Sequence, residues 1–244
     1  GFPMRTKNIA MILTLALTAG LCQTAAPSQA ATPKLSAKKL TIKVGKTAAL
    51  KVKKTSKKAK WSIVSGKKNI RLTAKKKTSV KVKAVKVGKA KISCKIGKKK
   101  LVCKVSVKSD IKENDVKMKY NNVVFTRDFV EKVNSISFGK KIVKDKMAQR
   151  KLCALFTKLK FEETLELKGL HKKVNVNAET LKVGELTPLI FTLSDGTKCY
   201  VDSTESQFGV TTEGQTKYYN VLEAINENEF WEAIDELVDR YCEK

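Results

Sequence analysis

From about Lys34 to Lys108 the chain alternates apolar and basic residues with a period of two. Leu40, Ile42 and Val44 interleave with Lys39, Thr41 and Lys43, and Leu50 and Val52 with Lys51 and Lys53. Val80, Val82 and Ala84 interleave with Lys81 and Lys83, and Ala90, Ile92, Cys94 and Ile96 with Lys89, Lys91 and Lys95. The last such run sets Leu101, Cys103, Val105 and Val107 against Lys100, Lys104 and Lys108. Successive side chains of a strand point to opposite faces, so each run predicts a strand with its apolar side inward and its lysines in water. Short alternating strands at roughly eight- to twelve-residue spacing, parted by Gly and Lys turns, predict an all-β sandwich.

The remaining half reads differently. Phe129 to Phe138 is strand-like, and a helix is predicted from Asp145, with Ala148, Leu152, Leu155, Phe156 and Leu159 at helical spacing. Phe161 to Leu167 alternates as a strand. Pro188 to Val201 predicts a hairpin about Asp195-Gly196, and Gln207 to Val210 with Lys217 to Val221 a second about Glu213-Gly214. A closing amphipathic helix starts at Asn226, with Glu229 three residues on as in a capping box, and carries Phe230, Trp231, Ile234, Leu237, Val238 and Tyr241 as its apolar stripe. An antiparallel sheet with two helices, a small α+β domain, is the expected architecture of this half.

Several stretches of the first half carry a family resemblance: Leu40-Thr-Ile-Lys-Val-Gly45-Lys-Thr47, Leu50, Trp61-Ser62, Val85-Lys-Val-Gly88-Lys-Ala90-Lys-Ile92 and Val105-Ser-Val107. Over residues 34–108 the chain resembles a group 2 bacterial immunoglobulin-like domain. The resemblance implies an immunoglobulin-like sandwich in an extracellular spacer or adhesive module, and no catalytic residue. The chain departs from that pattern in its near-absence of acidic residues.

Charge sharpens the division. The whole chain carries a formal +28. Ala31 to Lys108 holds 28 Lys and Arg and no Asp or Glu, whereas Ser109 onward holds 21 bases against 23 acids. All the unbalanced charge lies in the predicted sandwich, which places a boundary near Ser109-Asp110. Arg5 and Lys7, the apolar stretch Ile9 to Leu21 and the small-residue pattern Ser28-Gln29-Ala30 read as a secretory signal, cleaved before Ala31. Cys22 follows the apolar run, but Leu21 stands where lipid-attachment patterns resemble Gly or Ala. The expected division is a signal peptide over 1–30, a Lys-rich immunoglobulin-like domain over 31–108, a linker over 109–122 and an α+β domain over 123–244. Secretion with retention at the cell surface, and no transmembrane segment after cleavage, is the expected localisation.

Export permits disulfides among Cys94, Cys103, Cys153, Cys199 and Cys242 without requiring them. Cys94 and Cys103 share inward parity on the last predicted hairpin, and a turn centred on Lys98-Lys99 sets them face to face. Cross-strand Cβ atoms there are about 4.5–5.5 Å apart, longer than a disulfide prefers. A stapled hairpin and two small buried core residues are both open readings.

The inventory for catalysis is thin. His171, the only histidine, lies in the polar stretch Gly169-Leu-His-Lys-Lys173 and reads as an exposed loop residue. Cys153 falls on the apolar side of a predicted helix, where inert burial is expected over pairing with His171. Glu162, Glu163 and Glu166, and Glu232, Asp235, Glu236 and Asp239 on the last helix, read as solvated faces rather than catalytic pairs. Asp195-Gly196 is a turn without the spaced ligands of a calcium loop. No phosphate-loop or zinc spacing occurs, so no cofactor and no metal is expected.

The lysines are the one constellation with predictive force. They stand on outward strand faces and cluster in turns at Lys53-Lys54, Lys57-Lys58, Lys67-Lys68, Lys75-Lys76-Lys77 and Lys98-Lys99-Lys100. Such a field concentrates polyanions with a steep salt dependence. Lysine offers hydrated point charges, where arginine offers a bidentate fork, and only Arg71 breaks the pattern. The expected partners are anionic cell-wall polymers, such as teichoic acid, or host glycans. Trp61 is the sole aromatic of the basic domain, so base stacking has no platform, and only nonspecific nucleic-acid binding in vitro is expected. The expected function is envelope-associated binding or adhesion through the basic domain. An unrecognised enzyme in the C-terminal half and a purely structural spacer are its rivals.

Overall fold

The computed structural model of the chain describes residues 31–176 and 187–243. The expected signal segment over 1–30, with Cys22, lies outside the described residues. Residues Thr32–Lys244 form one compact unit.

Its first part contains eight strands: β1 Lys34–Leu35, β2 Lys39–Lys43, β3 Thr47–Lys53, β4 Lys60–Ser65, β5 Ile70–Thr73, β6 Ser79–Ala84, β7 Gly88–Ile96 and β8 Lys99–Lys108. They build two four-stranded sheets, β1-β3-β6-β5 and β2-β8-β7-β4. All pairs are antiparallel except β2 with β8. Ile42, Leu50, Val52, Trp61, Ile70, Val80, Val82, Ile92, Cys94, Cys103, Val105 and Val107 from both sheets fill one core. These are the inward positions of the period-two runs, and the alternating lysines are exposed.

The second part contains α1 Arg127–Lys132, β9 Val133–Phe138, β10 Lys141–Val143, α2 Lys146–Thr157, β11 Phe161–Thr164 and α3 Gly169–Val176. The strands β12 Leu189–Leu193, β13 Lys198–Thr204, β14 Gln207–Thr212 and β15 Gln215–Val221 follow, and α4 Glu227–Tyr241 closes the chain. The strands form one antiparallel sheet in the order β10-β9-β12-β13-β14-β15-β11. The two long helices α2 and α4 cover one face. There Phe125, Phe156, Phe161, Phe191, Phe208, Phe230 and Trp231 pack as a chain of edge-on and stacked rings, with centroids such as Phe125–Phe156 at 4.6 Å.

Both predicted hairpins and both predicted helix starts are present. Asp145 caps α2 by accepting from the Ala148 N–H, and Asn226 caps α4 by accepting from the Glu229 N–H. Two expectations need correction. Among the described residues the second half holds four α-helices rather than two. The stretch from Phe129 opens as the end of α1, because the Thr126 side chain accepts from the Phe129 N–H and fixes a helical turn that outweighs the local alternation.

Residues 109–122, expected as a linker, are mostly exposed but are anchored at Ser109, Ile111 and Asn122. The Ser109 N–H donates to Asp145 Oδ2 at 3.0 Å, Tyr241 Oη donates to Asp110 Oδ1 at 3.3 Å, and Ile111 is buried. Val87, from the loop between β6 and β7, belongs to the core of the second part rather than to that of the sandwich. The two parts are therefore joined through apolar and polar contacts.

Candidate functional site

The sandwich places its turn lysines unequally. The Ala59 N–H donates to the Lys77 carbonyl at 2.8 Å and the Val52 N–H to the Thr78 carbonyl at 2.8 Å, so the β3–β4 and β5–β6 loops meet at one end. Lys60 pairs with Lys95 and Ile96 with Lys99, which brings the β7–β8 turn to the same end. Lys53, Lys54, Lys57, Lys58, Lys75, Lys76, Lys77, Lys98, Lys99 and Lys100 thus gather there, all exposed. Lys67 and Lys68 sit at the opposite end, in the β4–β5 loop beside Asn69, whose carbonyl accepts from the Val85 and Lys86 N–H groups. That opposite end carries Val87 and Ser109 and adjoins the second part. The free tip therefore holds ten of the twelve predicted turn lysines and no carboxylate.

Sequence reasoning missed the lysine rows on the strand faces, because they depend on register. Lys39, Lys104 and Lys91 stand side by side across β2, β8 and β7, and Lys60, Lys95 and Lys100 across β4, β7 and β8. Like charges placed directly opposite oppose pairing.

The register also corrects the candidate disulfide. Cys94 pairs with Leu101 and Cys103 with Ile92, so the two thiols are diagonal neighbours rather than partners. The turn is Gly97-Lys98, with Gly97 at φ +57°, a conformation glycine adopts without a steric cost. Moving the turn by one residue shifts every cross-strand partner by two. Cys94, Cys103, Cys153, Cys199 and Cys242 are all buried free thiols. Burial raises the Cys94, Cys103 and Cys199 thiols above their ordinary range and pushes Cys153 up to about 12, which makes Cys153 a poor nucleophile.

His171 is not a loop residue. It lies on α3 with 3% of its surface exposed, over the sheet face opposite α2 and α4. Its Nε2 lies 2.8 Å from Asp202 Oδ1 and its Nδ1 3.3 Å from Gln207 Oε1. The Gln207 amide orientation is fixed on both sides. Its Oε1 accepts from the Lys168 N–H, and its Nε2 donates to the Glu166 carbonyl and to Asn220 Oδ1. Both ring nitrogens thus face side-chain oxygens, one on β13 and one on β14. Gly209 makes room for this ring: a Cβ there would lie 2.7 Å from Asp202 Oδ1 and 3.2 Å from His171 Nε2. Tyr218 flanks the ring at 5.0 Å, and burial and the Asp202 charge raise its hydroxyl. Buried and held through both nitrogens, the ring ties α3 to β13 and β14 of the sheet. Cys153 lies across the sheet from it, and the two do not form a pair.

The carboxylates considered for hydrolysis do not converge. Glu162 and Glu163 point to opposite sheet faces, and Glu163 lies 3.8 Å from Lys217. Asp235 and Asp239 both pair with Lys141. A groove of 610 Å³ between α2 and the 115–121 segment is lined by Lys117, Lys119, Lys151 and Lys158 with Asp115 and Glu223 at its margins. Among the described residues no group of three His, Cys, Asp or Glu side chains is placed to hold a metal, and no helix is long and apolar enough to cross a membrane.

No family model matches the chain. No curated protein matches it either. Among solved structures it is similar to domains 4 and 5 of the S-layer protein SbsC, at 18% identity and a TM-score of 0.27, over 31% of this chain and 44% of that one. It is also similar to the Bacteroides ovatus mixed-linkage glucan utilization protein SGBP-B, at 11% identity and a TM-score of 0.24, over 80% and 62%. The I9–I11 tandem from titin matches at 12% identity and a TM-score of 0.26, over 80% and 66%. The chain spans under half the length of the SbsC structure. Likenesses at these TM-scores carry no argument about function.

Proposed function

We propose that the protein is a secreted, envelope-associated binding protein whose basic sandwich, a group 2 bacterial immunoglobulin-like domain, holds it to anionic polymers of the cell surface. One observation carries the reading. The sandwich has 28 basic residues and no acid, and ten of its turn lysines converge on the end away from the second part. A field of one sign with no internal compensation attracts polyanions and repels other copies. The second part, nearly neutral and joined to the sandwich by packing, is the cargo that this anchor presents.

The test is cosedimentation of residues 31–244, which hold the whole described fold, with Gram-positive walls across a salt series. Walls stripped of teichoic acid are the comparison. Expected is pelleting at low salt that is lost at high salt and on stripped walls. Equal pelleting on stripped walls, or salt-independent pelleting, overturns the reading. A chain cut at residue 110 is the wrong control, because it bares the surface that Val87 and Ser109 cover.

A further inference from the structure

The outer face of the sheet β2-β8-β7-β4 carries a more specific arrangement than the tip. Two lysine rows cross it, Lys39–Lys104–Lys91 and Lys100–Lys95–Lys60. Along β7 and along β8 the rows stand four residues apart, roughly 13 Å at the ordinary strand rise. Between them runs a row without charge, Ser62–Ser93–Val102. Val102 is 42% exposed. Ser93 has the outward parity of Lys91 and Lys95, yet only 2% of it is exposed, and its hydroxyl has no hydrogen-bond partner. A buried hydroxyl left unpaired costs stability, and lysines set opposite lysines add a smaller cost.

We infer that this face is a trough for a single extended polyphosphodiester chain, of the kind in which polyol units are linked by phosphate. The chain lies across the strands between the lysine rows, over the uncharged Ser62–Ser93–Val102 row. The inference rests on the polyanion reading above and gives it a place. The floor is one small residue wide and holds no aromatic ring, so it offers no platform for stacking a sugar or a base. The lysines supply charge on both sides without a bidentate geometry, which suits a flexible phosphodiester chain better than a rigid sulfated sugar.

The experiment compares two charge-matched variants of residues 31–244 for binding to poly(glycerol phosphate) in a salt titration. One changes Lys39, Lys91, Lys95 and Lys104 to Gln on the face, the other Lys54, Lys57, Lys76 and Lys77 to Gln at the tip. A third variant is Ser93→Ala. The face variant is expected to bind at least tenfold more weakly and to lower the slope of log K against log salt by about 3, at about 0.7 per lysine for a single chain. The tip variant, which keeps both rows and loses part of the long-range attraction, is expected to weaken binding severalfold less than the face variant. Ser93→Ala, with every charge kept and a buried side chain changed, is the control, expected to leave both binding and salt slope unchanged. Equal losses in the face and tip variants overturn the trough and leave the general polyanion reading standing. No binding by the parent chain overturns both. Duplex DNA competing as well as poly(glycerol phosphate) at equal phosphate concentration overturns the assignment of the trough to a single polyol chain.

Discussion

The two parts of the molecule obey the same rule of inward apolar and outward polar positions, and they satisfy it with different chemistry. The sandwich core is aliphatic, with Trp61 as its one ring, and its surface charges are all of one sign. The second part packs nine Phe and Trp rings between its sheet and its helices, and each ion pair described in the chain lies within it. In the sandwich, then, the outside works against folding and the inside alone holds it together. In the second part, core, caps and surface pairs act in the same direction. The difference teaches where function resides, since a surface kept at a cost to folding points to binding.

The largest expected effect breaks the comparison at the cysteines. Cys153, enclosed in the second core, keeps its proton to about pH 12 in the fold, against an ordinary 9.0. The folded form holds that proton above the pH at which the unfolded chain has lost it. The contribution is therefore fully present below about pH 9 and is lost as pH rises toward 12, by about 4 kcal/mol in all. Cys153→Ala is expected to flatten this alkaline loss, read as the urea midpoint between pH 8 and pH 11.5. Cys94→Ala in the thinner sandwich core is expected to change it much less. Equal slopes in the parent and Cys153→Ala remove the distinction.

A smaller effect probes the way His171 ties α3 to the sheet. Gly209→Ala forces a Cβ against Asp202 and His171, and overpacking of this kind costs about 1–3 kcal/mol. Amide exchange is expected to rise in residues 166–172 and to stay unchanged in β2–β8. Unchanged protection of 166–172 means that the ring has room to move, and that α3 is not held by it.

The sandwich was legible because its period-two pattern is written almost entirely in two residue classes, apolar inward and lysine outward, with Ser93 and Val102 as exceptions. Each inward position of the runs from Leu50 to Val107 is buried, save Leu101, which is half-buried. The hairpins about Asp195-Gly196 and Glu213-Gly214, and the caps Asp145 and Asn226, are local signals and were read locally. What escaped depends on partners distant in sequence. His171 looked exposed because Lys172 and Lys173 follow it, while its burial is made by Asp202, Gln207 and Gly209, over thirty residues away. The Cys94–Cys103 relation turned on a single residue of turn placement, which parity does not resolve. The lysine rows and Ser93 needed the register of three strand pairs at once.

The smallest expected effect sharpens the comparison at the surface. Lys91 and Lys104 stand opposite each other, and Lys39 lies beyond Lys104. Replacing Lys91 and Lys104 by Gln removes repulsion without touching the core, and such cross-strand terms are about 0.2–1 kcal/mol. The double variant is expected to be more stable than the parent at low salt, by urea unfolding. The gain is expected to fade toward 1 M salt, where screening acts within about 3 Å. Lys141→Gln, which takes a cation from between Asp235 and Asp239, is expected to act in the opposite direction at low salt. A stabilised sandwich that binds polyanion more weakly ties the two properties to the same side chains. If Lys91→Gln with Lys104→Gln destabilises instead, the lysine stems contribute packing that outweighs their repulsion, and the rows are explained by the fold without a ligand.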